Sequence, residues 1–215
     1  MSSSIPQIDF SPFLEGGETG KKQVASQIGK ACREIGFFTL THHGVSLELI
    51  QRVFDANREF HQQPLEEKEE IMISHSAHHR GYHPFSAEAT DPNAKPDLKE
   101  AFDMALELPL DDPDVKAGKP FHGPNVWPRN PPQFRKTLEE YYQALLLLGE
   151  QICRCFALDL GLDEDYFVDK HSKPLAQLRL LHYPELDISR HPDQQGAGAH
   201  TDYGSVAILT QDSIG

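Results

Sequence analysis

The chain has 215 residues, 38% hydrophobic and 25% charged, the balance of a soluble globular protein long enough to bury a substantial core. Its net charge of −13 argues against nucleic acid or an anionic membrane as partner. No apolar stretch approaches the ~20 residues that span a bilayer, and the start, Met1-Ser2-Ser3-Ser4-Ile5-Pro6, lacks the basic and apolar regions of a secretory signal. The three cysteines, Cys32, Cys153 and Cys155, form no disulfide framework and read as reduced, mostly buried thiols of a cytoplasmic protein.

In chain order, residues 21–35 place Val24, Ile28, Ala31, Cys32 and Ile35 on one helical face, and Gly36 stops the helix. Residues 37–41 read as a short buried strand that ends at His42-His43-Gly44. Ser46 is placed to cap a second helix with Leu49, Ile50, Val53, Phe54 and Phe60 inward. Pro64 opens a short acidic helix over 65–70, a solvated face with Lys68 interleaved among four glutamates. Residues 74–130 are rich in Pro, Gly, His and Asp and carry little helical periodicity, a length of irregular chain that is more often functional than idle. Within them His75, His78, His79 and His83 surround Arg80-Gly81-Tyr82; without cysteine or an i, i+4 pair they read as an ordered loop rather than a zinc site. A long amphipathic helix over about 132–160 has Phe134, Leu138, Tyr142, Leu145, Leu148, Ile152 and Phe156 as its spine and ends at Gly161. Residues 176–183 and 205–211 read as strands. Helices come first and strands gather late, which predicts an α+β fold.

Two segments carry chemistry. A strand at His200-Thr201-Asp202 would project the imidazole and the carboxylate from one face, since side chains two apart share it. That is two-thirds of the 2-His-1-carboxylate set that holds non-haem Fe(II) with positions left open. Among twelve histidines chance pairs are expected, and His191-Pro192-Asp193 is one; its proline and following Gln194-Gln195-Gly196 place it in a turn. His200 instead follows Gly196-Ala197-Gly198-Ala199 and precedes the apolar Val206-Ala207-Ile208-Leu209. Context alone leaves a metal pair and a surface pair both open. In the strand over 177–184, Arg179, Leu181 and Tyr183 share one face, suited to hold a carboxylate or to form an ion pair and a packed ring. Leu178, Leu180 and His182 take the other face, His182 as a hydrogen-bonded sheet residue. No glycine-rich phosphate loop and no Gly-x-Ser-x-Gly elbow occurs.

Taken in order, Ile5-Pro6-Gln7-Ile8-Asp9-Phe10, Gly36-Phe37-Phe38, His43-Gly44, Arg80-Gly81-Tyr82, Lys99-Glu100-Ala101-Phe102-Asp103, Asn125-Val126-Trp127-Pro128 and the segments 178–184 and 198–204 resemble the isopenicillin-N-synthase-like branch of the Fe(II)- and 2-oxoglutarate-dependent dioxygenases. Residues 115–120 and 122–124 add a weaker likeness to bacterial ethylene-forming relatives. The resemblance implies a helical N-terminal region, residues 1–115, followed over 116–215 by the start of a double-stranded β-helix (jelly roll). It implies metal ligation by His200 and Asp202, and a cosubstrate-binding position at Tyr183 and at Arg179. Thr201 points away from the metal and packs, and Tyr203 either lines the pocket or shields it. The implied cofactors are Fe(II) and 2-oxoglutarate; the implied reaction oxidises a small-molecule substrate with O2 and releases succinate and CO2.

In the family the second metal His and the Arg-x-Ser that grips 2-oxoglutarate lie on later strands. The chain therefore reads as truncated at its C-terminus, with unfinished sheet edges open to self-association. Two alternatives stand beside the dioxygenase: an oxidase of the same fold that uses O2 without 2-oxoglutarate, and a non-catalytic fragment or interaction module. Substrate identity is not legible, being set by the 74–130 loops and the later strands.

Overall fold

In the computed structural model, which describes residues 4–89, 95–187, 189, 191, 193–202 and 204–214, the elements run β1 (Gln7–Asp9), α1 (Ser11–Glu15), α2 (Gly17–Glu34), β2 (Thr39–Thr41), α3 (Leu47–His61), α4 (Leu65–Glu69), β3 (Gly81–His83), β4 (Glu100–Ala105), α5 (Pro113–Lys116), α6 (Phe134–Asp159) and β5 (Gln177–His182). The class is α+β. The chain divides into two compact units, residues 1–50 with 143–174 and residues 51–142 with 175–215.

In the first unit β1 and β2 form a parallel pair, Ile8 opposite Leu40. Val24, Ala25, Ile28 and Ala31 of α2 face inward as their spacing predicts. Gly29 sits where a Cβ would collide with the Asp159 carboxylate, so a helix-interior glycine is the residue that lets α2 approach α6 there. Ser46 Oγ accepts from the Leu49 amide at 3.4 Å, an N-terminal cap for α3. After α6, Gly161 takes φ 70° and the Leu162 amide bonds back to the Ala157 carbonyl at 2.9 Å, closing the helix in the left-handed manner. Two expectations are corrected. The strand expected over 37–41 shortens to Thr39–Thr41, and Phe37 is 67% exposed, because among the described residues β2 pairs with β1 alone. Cys32 is exposed at the margin of the α2 stripe, whereas Cys153 and Cys155 are buried.

The second unit is built on an antiparallel sheet in the order β3-β4-β5. Phe102 of β4 stands between Tyr82 and Leu180 in register. On this face Phe60 of α3 lies 5.3 Å from Phe102 and 5.0 Å from Phe134 of α6, ring to ring, and Phe102 lies 5.0 Å from Phe134. All three rings are fully buried, so each contributes about 2–3 kcal/mol by transfer alone, with about 1 kcal/mol more for each well-oriented aromatic pair. Asn57 Nδ2 donates to the Leu181 carbonyl (3.0 Å) and Tyr142 Oη to the Ala176 carbonyl (3.0 Å), fastening both helices to β5. Asn125 continues the ladder with its side chain: its Oδ1 accepts from the Ala105 amide (2.9 Å) and its Nδ2 donates to the Ala105 carbonyl (2.8 Å).

β4 is buried along its whole length, inside the stretch whose composition predicts irregular chain. Its signal is broken by Glu100 and Asp103, which point to opposite faces and are each neutralised there. Lys68 is likewise corrected: it is buried rather than part of a solvated face. The strand expected over 205–211 is absent among the described residues; Leu209 is 83% exposed and pairs with no neighbour there. What stands for the expected jelly roll in the described residues is the three-stranded sheet alone. No helix among them is long and apolar enough to cross a membrane.

Candidate metal and cosubstrate site

The loop that carries His200 is fastened to the segment leading into β4. The Leu98 amide donates to the Gln195 carbonyl (2.8 Å), Gln194 Nε2 to the Pro96 carbonyl (2.9 Å), and the Gly198 amide to Asp97 Oδ1 (2.9 Å). Just before it the Gln194 amide closes a turn on the His191 carbonyl (3.2 Å) with Asp193 at φ 65°, the turn the sequence predicts around His191; Pro192 itself lies outside the described residues.

His200 and Asp202 come together without a strand. His200 Nε2 stands 3.3 Å from Asp202 Oδ1, and both side chains are exposed. The other ring nitrogen, Nδ1, is 2.8 Å from the Gly198 carbonyl oxygen. A carbonyl only accepts, so Nδ1 carries the proton, and in a neutral ring Nε2 is left as a lone pair. A neutral ring would offer Nε2 to a cation shared with Asp202, whereas a doubly protonated ring would donate Nε2–H to that carboxylate. Two adjacent donors each about 2.1 Å from a first-row ion stand about 3.0 Å apart, close to the observed distance. The imidazole–carboxylate chemistry fits an Fe(II) site with open positions. Among the described residues there is no group of three or more His, Cys, Asp or Glu around a common point. Tyr203 lies outside them.

Tyr183 follows β5, half exposed, with its ring against Gly196; a Cβ there would come within 3.0 Å of the ring. The small residue keeps the His200 loop and the tyrosine in contact. Arg179 lies on the same sheet face but is engaged. Its Nε and Nη2 take both oxygens of Asp103 (2.8 and 2.7 Å), and its Nη1 and Nη2 take both oxygens of Glu88 (2.9 and 3.2 Å). This is the ion-pair alternative, and it leaves Arg179 little donor capacity for a cosubstrate.

His83 completes that cluster, 2.6 Å from Asp103 and 3.1 Å from Glu88. Burial alone would lower its pKa, but the hydrogen bonds to Asp103 and Glu88 outweigh it and hold the ring up to about 9, an imidazolium at neutral pH. The bond from His83, followed by the Arg179 charge, holds Glu88 down at about 2 against burial. Asp103, 1% exposed, thus sits between two cations. The opposite face of the same strand repeats the device. Glu100 accepts from His182 Nδ1 (2.8 Å), Lys68 Nζ (2.8 Å) and Tyr82 Oη. Burial pushes its carboxyl up, and those three bonds overcome burial and hold it at about 2. Beside it His61 is buried with Nδ1 on the Asn57 carbonyl (3.0 Å) and Nε2 unpartnered; burial lowers it to about 4. The remaining histidines of the 75–83 run belong to an ordered loop. Ser76 Oγ accepts the His78 and Arg80 amides, and the Arg80 guanidinium bonds the His78, His79 and Phe121 carbonyls.

Sequence reasoning missed the partners Asp97, Asp103, Glu88 and Glu100. The alternation within Leu98-Lys99-Glu100-Ala101-Phe102-Asp103-Met104 was the available signal: a charge on each face of an otherwise apolar run.

Residues 5–130 match the profile described as non-haem dioxygenase in morphine synthesis N-terminal. A 2-oxoglutarate-dependent dioxygenase of Didymella fabae is 35% identical over 97% of this chain and 66% of its own length. A 2-oxoglutarate-Fe(II) type oxidoreductase of Emericella nidulans is 35% identical over 97% of this chain and 61% of its own length. Among solved structures, a full-length Neurospora crassa protein crystallised with alpha-KG superposes with a TM-score of 0.77 at 32% identity, covering 94% of this chain and 62% of that one. The chain belongs to the non-haem Fe(II)- and 2-oxoglutarate-dependent dioxygenase family, and spans about two-thirds or less of the length of these relatives.

Proposed function

We propose that the protein is a 2-oxoglutarate-dependent oxygenase in which His200 and Asp202 are the first imidazole and the carboxylate of the Fe(II) site, and that it oxidises a small-molecule substrate with O2, releasing succinate and CO2. The observation that carries the reading is the pair itself: Nε2 and Oδ1 face each other at 3.3 Å with Nδ1 already committed to a carbonyl. The bound metal would supply the oxidising power by bringing 2-oxoglutarate and O2 together. The chain's own residues set the geometry. His200 presents the lone pair of Nε2, Asp202 supplies the anionic donor, and Tyr183 lines the approach with its hydroxyl available to the cosubstrate. Arg179 supports the sheet under Tyr183 through Asp103 and Glu88. Residues 1–115 serve as the helical N-terminal region, and 116–215 open the jelly roll. Relatives vary in substrate: one is named a homoarginine-6-hydroxylase, from Glycine max, and the Neurospora crassa protein is also crystallised with thymine.

The test is an anaerobic titration of the full-length gene product with Fe(II) and 2-oxoglutarate, followed by the weak visible charge-transfer band of the chelate. The band should appear in the wild type, and D202A should purify without iron. Absence of the band at saturating ligand, or unchanged metal content in D202A, overturns the assignment.

A further inference from the structure

The second contact of the Gly198 residue points inward, away from the metal pair. Gly198 is held at both ends: its amide donates to Asp97 Oδ1 at 2.9 Å, and its carbonyl accepts the His200 Nδ1 proton at 2.8 Å. Asp97 is 2% exposed and its other oxygen binds the buried Lys99 ammonium at 2.8 Å. The adjoining backbone bond from Leu98 to Gln195 (2.8 Å) adds a third fixed point. A loop of small residues, Gly196-Ala197-Gly198-Ala199, has little of its own to fix a carbonyl direction; a buried carboxylate clamped to the sheet does.

We propose that Asp97 is a positioning residue of the metal site: by pinning the Gly198 amide it aims the Gly198 carbonyl at His200 Nδ1, which selects the Nδ1–H tautomer and turns Nε2 toward Asp202. The inference rests on the ligand assignment above, and deepens it by naming the buried group that presents the imidazole. Asp97 acts on the pair from behind, through the Gly198 amide. Its effect passes through one glycine, and the ring is oriented as outer-shell partners orient metal-bound histidines elsewhere.

Two readouts test it on the full chain. The first needs no metal: the side-chain 15N shifts of His200 near pH 8 should show the Nδ1–H tautomer in the wild type and in D97N, whose amide oxygen can still accept from Gly198, and a mixture of tautomers in D97A. The second is the Co(II) dissociation constant, expected to rise about 10–100-fold in D97A and to stay within about threefold of wild type in D97N. Unchanged tautomer and unchanged Co(II) affinity in folded D97A overturn the proposal. If D97A does not fold, the Gly198 amide of the wild type decides: it should exchange with solvent far more slowly than its loop neighbours, and exchange as fast as theirs overturns the proposal. Should H200A bind Co(II) as the wild type does, the ligand assignment falls, while the tautomer and exchange measurements still decide the role of Asp97.

Discussion

Replacing Glu100 by glutamine leaves the shape of the side chain in place and removes its charge, so E100Q imitates the protonated acid at every pH. In the folded protein the carboxyl is held at about 2 against an ordinary 4.5, and the side chain is only 8% exposed, so solvent screening reduces the effect little. A depressed carboxylate contributes stability that is fully present above the unfolded pKa and is lost as pH falls toward the folded one. The difference amounts to about 3 kcal/mol at pH 7 and about 1 kcal/mol at pH 3. Lys68, Tyr82 and His182 all lose part of their partner in the variant, consistent with the cost of breaking a buried pair. Urea unfolding of wild type and E100Q reads this directly. With a slope of about 2 kcal/mol/M, the midpoints should differ by about 1.5 M at pH 7 and draw together by pH 3. A midpoint gap below about 0.3 M at pH 7, or one of equal size at both pH values, would refute the assignment of Glu100 as the charge that holds this cluster.

Two further outcomes follow from the same physics. His83, raised to about 9, contributes stability that is present below its unfolded value near 6.5 and is lost as pH rises through 9. Melting temperature should therefore fall between about pH 6.5 and 9 in the wild type and more shallowly in H83Q, and parallel profiles would show that the ring is not a buried imidazolium. Gly29→Ala should destabilise by about 1–3 kcal/mol despite the better helix propensity of alanine, because the added methyl meets the Asp159 carboxylate that Arg33 also holds; a stabilised variant, seen by thermal melting, would mean that α2 yields at that point.

The helices were legible because their periods are long and their punctuation strong. Val24, Ile28 and Ala31 recur at helical spacing, Ser46 caps, and Gly161 closes. β5 was legible from its alternation, down to which residues share a face. β4 was not, because two of its six residues are acidic and strand rules weigh such residues against burial; only tertiary pairing with Lys68, His83 and Arg179 neutralises them. Phe37 misled for the opposite reason, since apolar character states what a residue prefers and not whether a partner layer exists. Spacing singled out His200 and Asp202 as neighbours, and they do stand side by side, although a loop and not a strand brings them together. Arg179 carried the right chemistry, but its carboxylate partners come from within the chain.

β4 also acts as a lock on register. Because Glu100 and Asp103 face opposite ways, a slip of one residue against β3 or β5 would turn each acid to the other side and part it from its cations. An all-apolar strand in the same place, buried on both faces, would meet no such charge penalty on slipping by one residue. Here a one-residue slip strands two anions in a dry interior. The strand therefore carries an error-rejecting code written in charge, and the loop fastened through Asp97, three residues before Glu100 in the chain, inherits that alignment.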